Sequence, residues 1–286
     1  MIFFVFGSER FIQDVLTETV ATVPPPIDIT LDVPEQLAAG RSNEVTVRWS
    51  DQSDLAITAP IIRIEGATTT PEIRLDTPVV AGERTFTLTP RSGSGTERSA
   101  TYTPVVTFQT DSSGGDVTVQ GSSITRKLTT SASLSGFARY FSSAGDQLGR
   151  GPLPPRAGEP TTYWIFLNLR GTFNDLSYPT ITATLPANVQ WADKQSVTMG
   201  SGVQYDTATR RITWALDALP ATVASGRTAA ASFAVTIIPN ASQIGSTGAL
   251  LTNVRLQATD TWTNQSISRT LAPITTAIEE DAGRIR

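Results

Sequence analysis

From Ser177 to Leu219 the chain alternates apolar and polar residues with period two. Ile181, Ala183 and Leu185 share one phase, Pro186-Ala187-Asn188 interrupts it, and Ile212, Trp214 and Leu216 resume it. Successive side chains of a strand point to opposite faces, so this spacing dictates strands with one buried face. Gly200-Ser201-Gly202 and Asp206-Thr207-Ala208-Thr209 lie between the halves and are turn-forming compositions. Short runs of the same kind, bounded by Gly, Pro, Asn and Ser, recur along the chain, and long helical patterns are nearly absent. The hydrophobic share, 39%, is below that of a typical globular chain, and Thr and Ser take the missing part; Thr packs well on a half-buried pleated surface. An all-β fold follows.

A chain of 286 residues can bury two cores of ordinary size. A first sandwich is expected over residues 27–130, from alternating runs at Ile27/Ile29/Leu31/Val33, Val45/Val47/Trp49, Ile62/Ile64, Phe86/Leu88, Val106/Phe108 and Val117/Val119. Turn-like segments at 39–43, 91–95 and 111–115 separate them, and the phase of Trp49 makes it a core residue. A second sandwich is expected over 131–277. It opens on Leu134 to Phe141, crosses a Gly/Pro-rich loop from Ser142 to Pro160, and enters a central strand at Tyr163 to Leu169, which is apolar on both faces. Phe233/Val235/Ile237, Val254/Leu256/Ala258 and Ser266 to Thr275 complete it, and 278–286 form a charged tail.

The halves resemble each other. Ala39-Gly40, Val45 to Ser50, Ser53-Asp54-Leu55 and Pro60-Ile61-Ile62 align with Ala157-Gly158, Tyr163 to Asn168, Asn174-Asp175-Leu176 and Pro179-Thr180-Ile181. The shared order is turn, strand, acidic-Leu loop, Pro, strand, which argues for a tandem repeat.

Residues 156–275 carry a family resemblance. Leu185-Pro186-Ala187-Asn188-Val189, then Tyr205-Asp206-Thr207-Ala208-Thr209-Arg210-Arg211-Ile212-Thr213-Trp214, then the aliphatic run Ala231 to Ile238 resemble the LPxxV…YDxxTxxIxW pattern of the immunoglobulin-like repeat domain of prokaryotic surface proteins. The resemblance implies a spacer or adhesive module on a cell surface and supplies no catalytic residues. The expected fold class is therefore two tandem immunoglobulin-like antiparallel β-sandwiches with a short N-terminal apolar/helical segment.

That segment, residues 1–26, differs from the rest. Met1 to Phe6 is an apolar burst, and Phe11, Ile12, Val15 and Leu16 share one side of a helix-compatible stretch before Val23-Pro24-Pro25-Pro26. Six apolar residues are too few to span a bilayer, which takes about 20. No basic n-region or small-residue cleavage site marks a signal peptide. Two readings stand open: the outer end of a membrane anchor, or a short packed strand or frayed terminal helix. The prolines form a semi-rigid spacer.

Composition excludes several chemistries. Cys and His are both absent, so neither Ser-His-Asp and Cys-His nucleophiles nor His- or Cys-ligated metal centres can be built. Net charge is −4, and Lys occurs only at Lys127 and Lys194; without a clustered basic face, nucleic acid is not an expected partner. Asp51, Asp54 and Asp175, with Asn174, offer hard oxygen donors in the repeated loops but lack calcium-loop spacing. Paired carboxylates for glycoside hydrolysis are not identifiable. The loop Asp260-Thr261-Trp262-Thr263-Asn264-Gln265 could stack an aromatic ring on a sugar, although a Trp folded onto the end of its sandwich fits it better. Asn240-Ala241-Ser242 and Asn264-Gln265-Ser266 match the N-glycosylation pattern, which matters only in a secretory host.

The expectation is a non-enzymatic module, with no catalytic, cofactor or metal residues, displayed extracellularly or on the cell surface of a prokaryote. Its partners would be other surface proteins, copies of itself or glycans, with membrane attachment through the N-terminal segment. The alternatives are a carbohydrate-binding module using the Trp262 loop, or a subunit of an extracellular filament or layer in which the N-terminal segment docks into the next protomer.

Overall fold

The computed structural model describes residues 25–286 apart from 53–55, 70, 91–97, 112–113, 131, 171 and 222–227, and the backbone of 3–6 and 9–12. At the amino terminus β1 (Phe3–Phe6) and β2 (Glu9–Ile12) pair antiparallel. The helix-compatible reading is thereby corrected over the described part: Phe11 and Ile12 lie in a strand, while Val15 and Leu16 fall outside the described residues. A helix this short is marginal without packing, whereas two four-residue runs can satisfy each other's backbone groups. Among the described residues no helix is long and apolar enough to cross a membrane.

The first sandwich comprises β3 (Ile27–Asp32), β4 (Gln36–Ala38), β5 (Asn43–Asp51), β6 (Ile57–Glu65), β7 (Glu72–Arg74), β8 (Gly82–Leu88), β9 (Ser99–Thr110), β10 (Val117–Gln120) and β11 (Ile124–Thr129). One sheet runs β3-β5-β8; the other runs β4-β11-β9-β6-β7, with β10 beside β9. Only the β4–β11 pairing is parallel among the described strands. The second sandwich comprises β12 (Ser133–Arg139), β13 (Thr161–Arg170), β14 (Leu176–Thr184), β15 (Val189–Val197), β16 (Gln204–Asp206), β17 (Arg211–Ala215), β18 (Ala218–Leu219), β19 (Ala229–Ile237), β20 (Ala249–Asp260), β21 (Ser266–Thr270) and β22 (Ile274–Thr275). Its sheets run β12-β13-β19-β15 and β16-β17-β14-β20-β21, with β18 beside β14 and β22 beside β20.

Each sandwich has its own core, built from the alternating positions. Val45, Val47, Ile62, Ile64, Tyr102 and Phe108 anchor the first; Tyr163, Ile165, Trp214, Phe233 and Leu256 anchor the second. Trp49 corrects its expected core placement. It is half-buried on β5, the middle strand of its sheet, packed against the core, and donates its indole N–H to the Val80 carbonyl at 2.9 Å. The residues read as a charged tail, 278–286, are held to the second sandwich: Ile285 is buried, its amide donates to Ser246 O at 2.9 Å, and Arg286 donates to Pro155 O at 2.8 Å.

The repeat seen in the sequence extends to backbone detail. Gly40 and Gly158, which precede the central strands β5 and β13, both have positive φ, at 65° and 81°. Strand β6 is bulged against β9 between Thr58 and Ile61, and β14 against β20 between Ser177 and Thr180. In each bulge the residue before the proline is left-handed, Ala59 at φ 48° and Tyr178 at φ 50°. A bulge inserts one residue and kinks the strand, so finding it at matched places in β6 and β14 is a shared structural device. The left-handed conformation costs a residue with a Cβ about 1 kcal/mol or more. Ala59→Gly and Tyr178→Gly are therefore expected to be neutral or stabilising by up to about 1 kcal/mol, since glycine's greater unfolded-state freedom offsets part of the relief. Chemical denaturation of each variant checks this, and a marked loss at either position would mean that the side chain, not the bulge, is what matters there.

Candidate functional site

The most elaborate polar constellation lies where the sandwiches meet. In the chain, residues 130–132 separate β11 from β12. At the constellation's centre is Asp260, the last residue of β20, whose side chain is fully buried. Its Oδ2 accepts hydrogen bonds from the Thr130 amide at 2.7 Å and Asn174 Nδ2 at 2.9 Å. Its Oδ1 accepts from the amides of Trp262 at 2.9 Å and Thr263 at 3.0 Å. One carboxylate thus ties the connecting segment, the 174 loop and its own hairpin together.

Neighbouring groups extend the clamp into the first sandwich. Asn174 Nδ2 also donates to Leu128 O on β11 at 2.8 Å. The Thr130 hydroxyl accepts from the amides of Phe173 at 3.1 Å and Asn174 at 2.5 Å, and the Phe173 ring packs against the core of the first sandwich. On the outer side Lys127 Nζ lies 4.9 Å from the centre of the Trp262 ring, and the indole N–H donates to Arg98 O at 2.9 Å. Arg98 faces Asp175 at 3.7 Å, while the other Asp175 oxygen accepts from the Ala221 amide at 2.7 Å. The outer ion pair is half-exposed and contributes little; the buried carboxylate is where removal of a partner is costly.

Burial pushes the Asp260 carboxyl up, but the bonds from Asn174, Thr130, Thr263 and Trp262 outweigh it and hold the group below the usual carboxylate range. Its acceptor positions are spent on protein donors, so it has no free lone pair for base chemistry or metal binding. A polar cleft of about 180 Å³ opens beside it, lined by Arg41, Thr130, Asp260, Gln265 and Arg269.

The loops singled out in the sequence are accounted for differently. Asn174 and Asp175 belong to the clamp, whereas Asp54 lies outside the described residues, and no cluster of three potential metal-ligating side chains occurs among the described residues. Trp262 is 37% exposed, but its N–H is committed to Arg98 O and Lys127 stands over its ring, so the loop is folded onto the first sandwich. Sequence reasoning missed Thr130 and Asp260 as a pair, 130 positions apart; their only local signal is the Asp-x-Trp-Thr turn.

The motif pattern has a separate physical basis. Asp206 caps the β16–β17 turn, accepting from the Ala208 amide at 2.9 Å and the Thr209 hydroxyl at 2.6 Å. Arg210, left-handed at φ 56°, reaches across to Leu185 O at 3.1 Å, Pro186 O at 2.6 Å and Val189 O. The turn motif thereby clamps the loop motif, and Trp214 is wholly buried beneath them.

The fold and site define a tandem of immunoglobulin-like β-sandwiches locked at their junction by a buried carboxylate. No family model matches the chain, and no curated protein matches it. Among solved structures it is similar to the major pilin subunit of Bacillus cereus, with 11% identity and TM-score 0.35 over 87% of this chain and 68% of that one. It is also similar to the full-length major pilin SpaD of Corynebacterium diphtheriae, with 10% identity and TM-score 0.33 over 77% of this chain and 59% of that one. A putative membrane anchored protein from the same organism gives 10% identity and TM-score 0.29 over 86% and 58%. The chain spans less than two thirds of the two corynebacterial proteins, and at these scores no role transfers from any of the three.

Proposed function

We propose that this chain is a non-enzymatic structural segment of a prokaryotic cell-surface or envelope protein, acting as a semi-rigid spacer and protein-interaction module. The observation that carries the reading is the Asp260 clamp. It spends a buried charge on fixing two repeats in tandem, which suits a part whose task is to hold other parts at a set distance and angle. The shared bulges and the motif-bearing hairpin support a repeat module of the surface-protein type. The sugar-binding alternative loses ground because Trp262 is engaged within the junction.

Fractionation of native cells followed by protease shaving of intact cells tests this. Recovery of the chain in the envelope fraction with cleavage from outside is expected; a soluble protein protected inside the cell would overturn the surface location.

A further inference from the structure

The cleft beside Asp260 brings together two guanidiniums from different sandwiches. Arg41 stands on the turn before β5, and that turn is held in place. Its amide donates to Ala38 O at 3.2 Å, and the Asn43 side chain accepts from the Ala38 amide at 2.9 Å and donates to Arg41 O at 2.9 Å. Arg269 stands on β21, where Nε donates to Ala132 O at 3.0 Å and Nη1 to Ser268 O at 2.8 Å. These anchors fix the plane of the Arg269 guanidinium, whose five N–H donors exceed what two carbonyls take up. Gln265 and Ser266 add an amide and a hydroxyl to the lining.

Charge and size decide what such a cleft can take. Asp260 is the one acid among the described residues that line it, and its oxygens already accept from four donors. Two cations against one satisfied carboxylate leave the cleft net positive, in a chain whose net charge is −4. A metal cation would meet both arginines and find the carboxylate already spent. The volume, about 180 Å³, is below the roughly 300 Å³ at which sites for larger organic ligands begin. The planar fork of a guanidinium matches two oxygens of a carboxylate or a phosphate. We propose that the cleft binds one small oxyanion, a carboxylate or phosphate group, between Arg41 of the first sandwich and Arg269 of the second. The anion completes a tie across the junction that neither arginine makes alone, and so stiffens the tandem. The inference deepens the reading of the Asp260 clamp as a coupling between repeats and rests on it. The oxyanion can arrive as a free ion or as a group borne on a chain.

Melting of the full chain in sodium phosphate, sodium acetate and short polyglutamate tests it, each against sodium chloride at equal ionic strength so that general screening cancels. At ten times its dissociation constant, a ligand of the folded state should raise the melting temperature by about 3 °C. Arg41→Gln, at an exposed position, is expected to abolish the shift while leaving the melting temperature in chloride unchanged. Arg269→Lys keeps the charge but loses the fork, and should weaken binding about tenfold. Arg74→Gln, on the edge strand β7 at the opposite side of the sheet from β4, should shift like the unsubstituted chain. A shift with phosphate or acetate identifies a free ion, and one with polyglutamate alone identifies a chain-borne group; either supports the site. Equal melting in all salts would overturn the proposal, and so would a shift that survives Arg41→Gln, which marks a general anion effect. Failure of the clamp itself reads differently, because Asp260→Asn would then leave stability unchanged in chloride with no oxyanion present. Surface location is read separately by the shaving experiment.

Discussion

Asp260→Asn is expected to destabilise the second sandwich by about 3 kcal/mol and to loosen the junction. The amide is isosteric, but its NH2 must replace one of two oxygens that each accept two hydrogen bonds. Either the amides of Trp262 and Thr263 or those of Thr130 and Asn174 then face a donor. A hydrogen bond to a charged group contributes roughly 1.5–3 kcal/mol, and each orphaned buried donor adds its desolvation cost. Urea unfolding followed by tryptophan fluorescence reads the stability, and Trp49 as the sole tryptophan before the junction helps to separate the two sandwiches. Solution scattering should show a broader distance distribution in the variant. Asp206→Asn is the control, because Asp206 also has a lowered pKa, chiefly through the Thr209 hydroxyl, yet it is exposed and local to its turn. Similar losses at both positions would show that the junction has no special standing.

The Asp260 carboxyl also sets a pH dependence. A carboxyl lowered in the folded state stabilises above its unfolded value of about 3.9, and that contribution is lost as pH falls through the folded value. Stability attributable to Asp260 should thus be flat near neutrality and fall below about pH 4. Asp260→Asn should flatten that acid limb.

Trp214→Ala is expected to cost the second sandwich about 3–5 kcal/mol, the range for deleting a large buried aromatic. Trp214 is completely buried, pairs in register with Ile181, and donates its indole N–H to Met199 O at 3.1 Å. Truncation opens a cavity and orphans that carbonyl. Trp164→Ala, at a half-buried position on the outer face of β13, should cost clearly less. Melting curves of the two variants decide the matter; equal losses would mean that the outer face is packed as tightly as the core.

Much of this architecture is set locally. Period-two alternation at Ile181/Ala183/Leu185 and Ile212/Trp214/Leu216 places those residues inward whatever they pack against, because a strand has only two faces. The repeat of Ala39-Gly40 through Pro60 in Ala157-Gly158 through Pro179 likewise carries the positive-φ turns and the proline bulges with it, since these depend on a few adjacent residues. Asp206 and Thr209 cap their own turn within four positions.

What the sequence left open depends on partners distant along the chain. Trp49 has the phase of a core residue, yet it is half-buried, and only the fold lays its ring against Gly82 of β8 and brings the Val80 carbonyl to its N–H. The loop around Trp262 reads equally as a sugar platform or a folded turn until Lys127 and Arg98 are brought beside it. Ile285 sits in a charged run and is buried only because the fold brings Ser246 and Gly245 to it as backbone partners. Most of all, Asp260 looks like an ordinary turn aspartate. Only the tertiary fold carries the Thr130 amide and the Asn174 side chain to it, and only burial turns four modest hydrogen bonds into a lock, because a desolvated charge cannot exchange its protein donors for water.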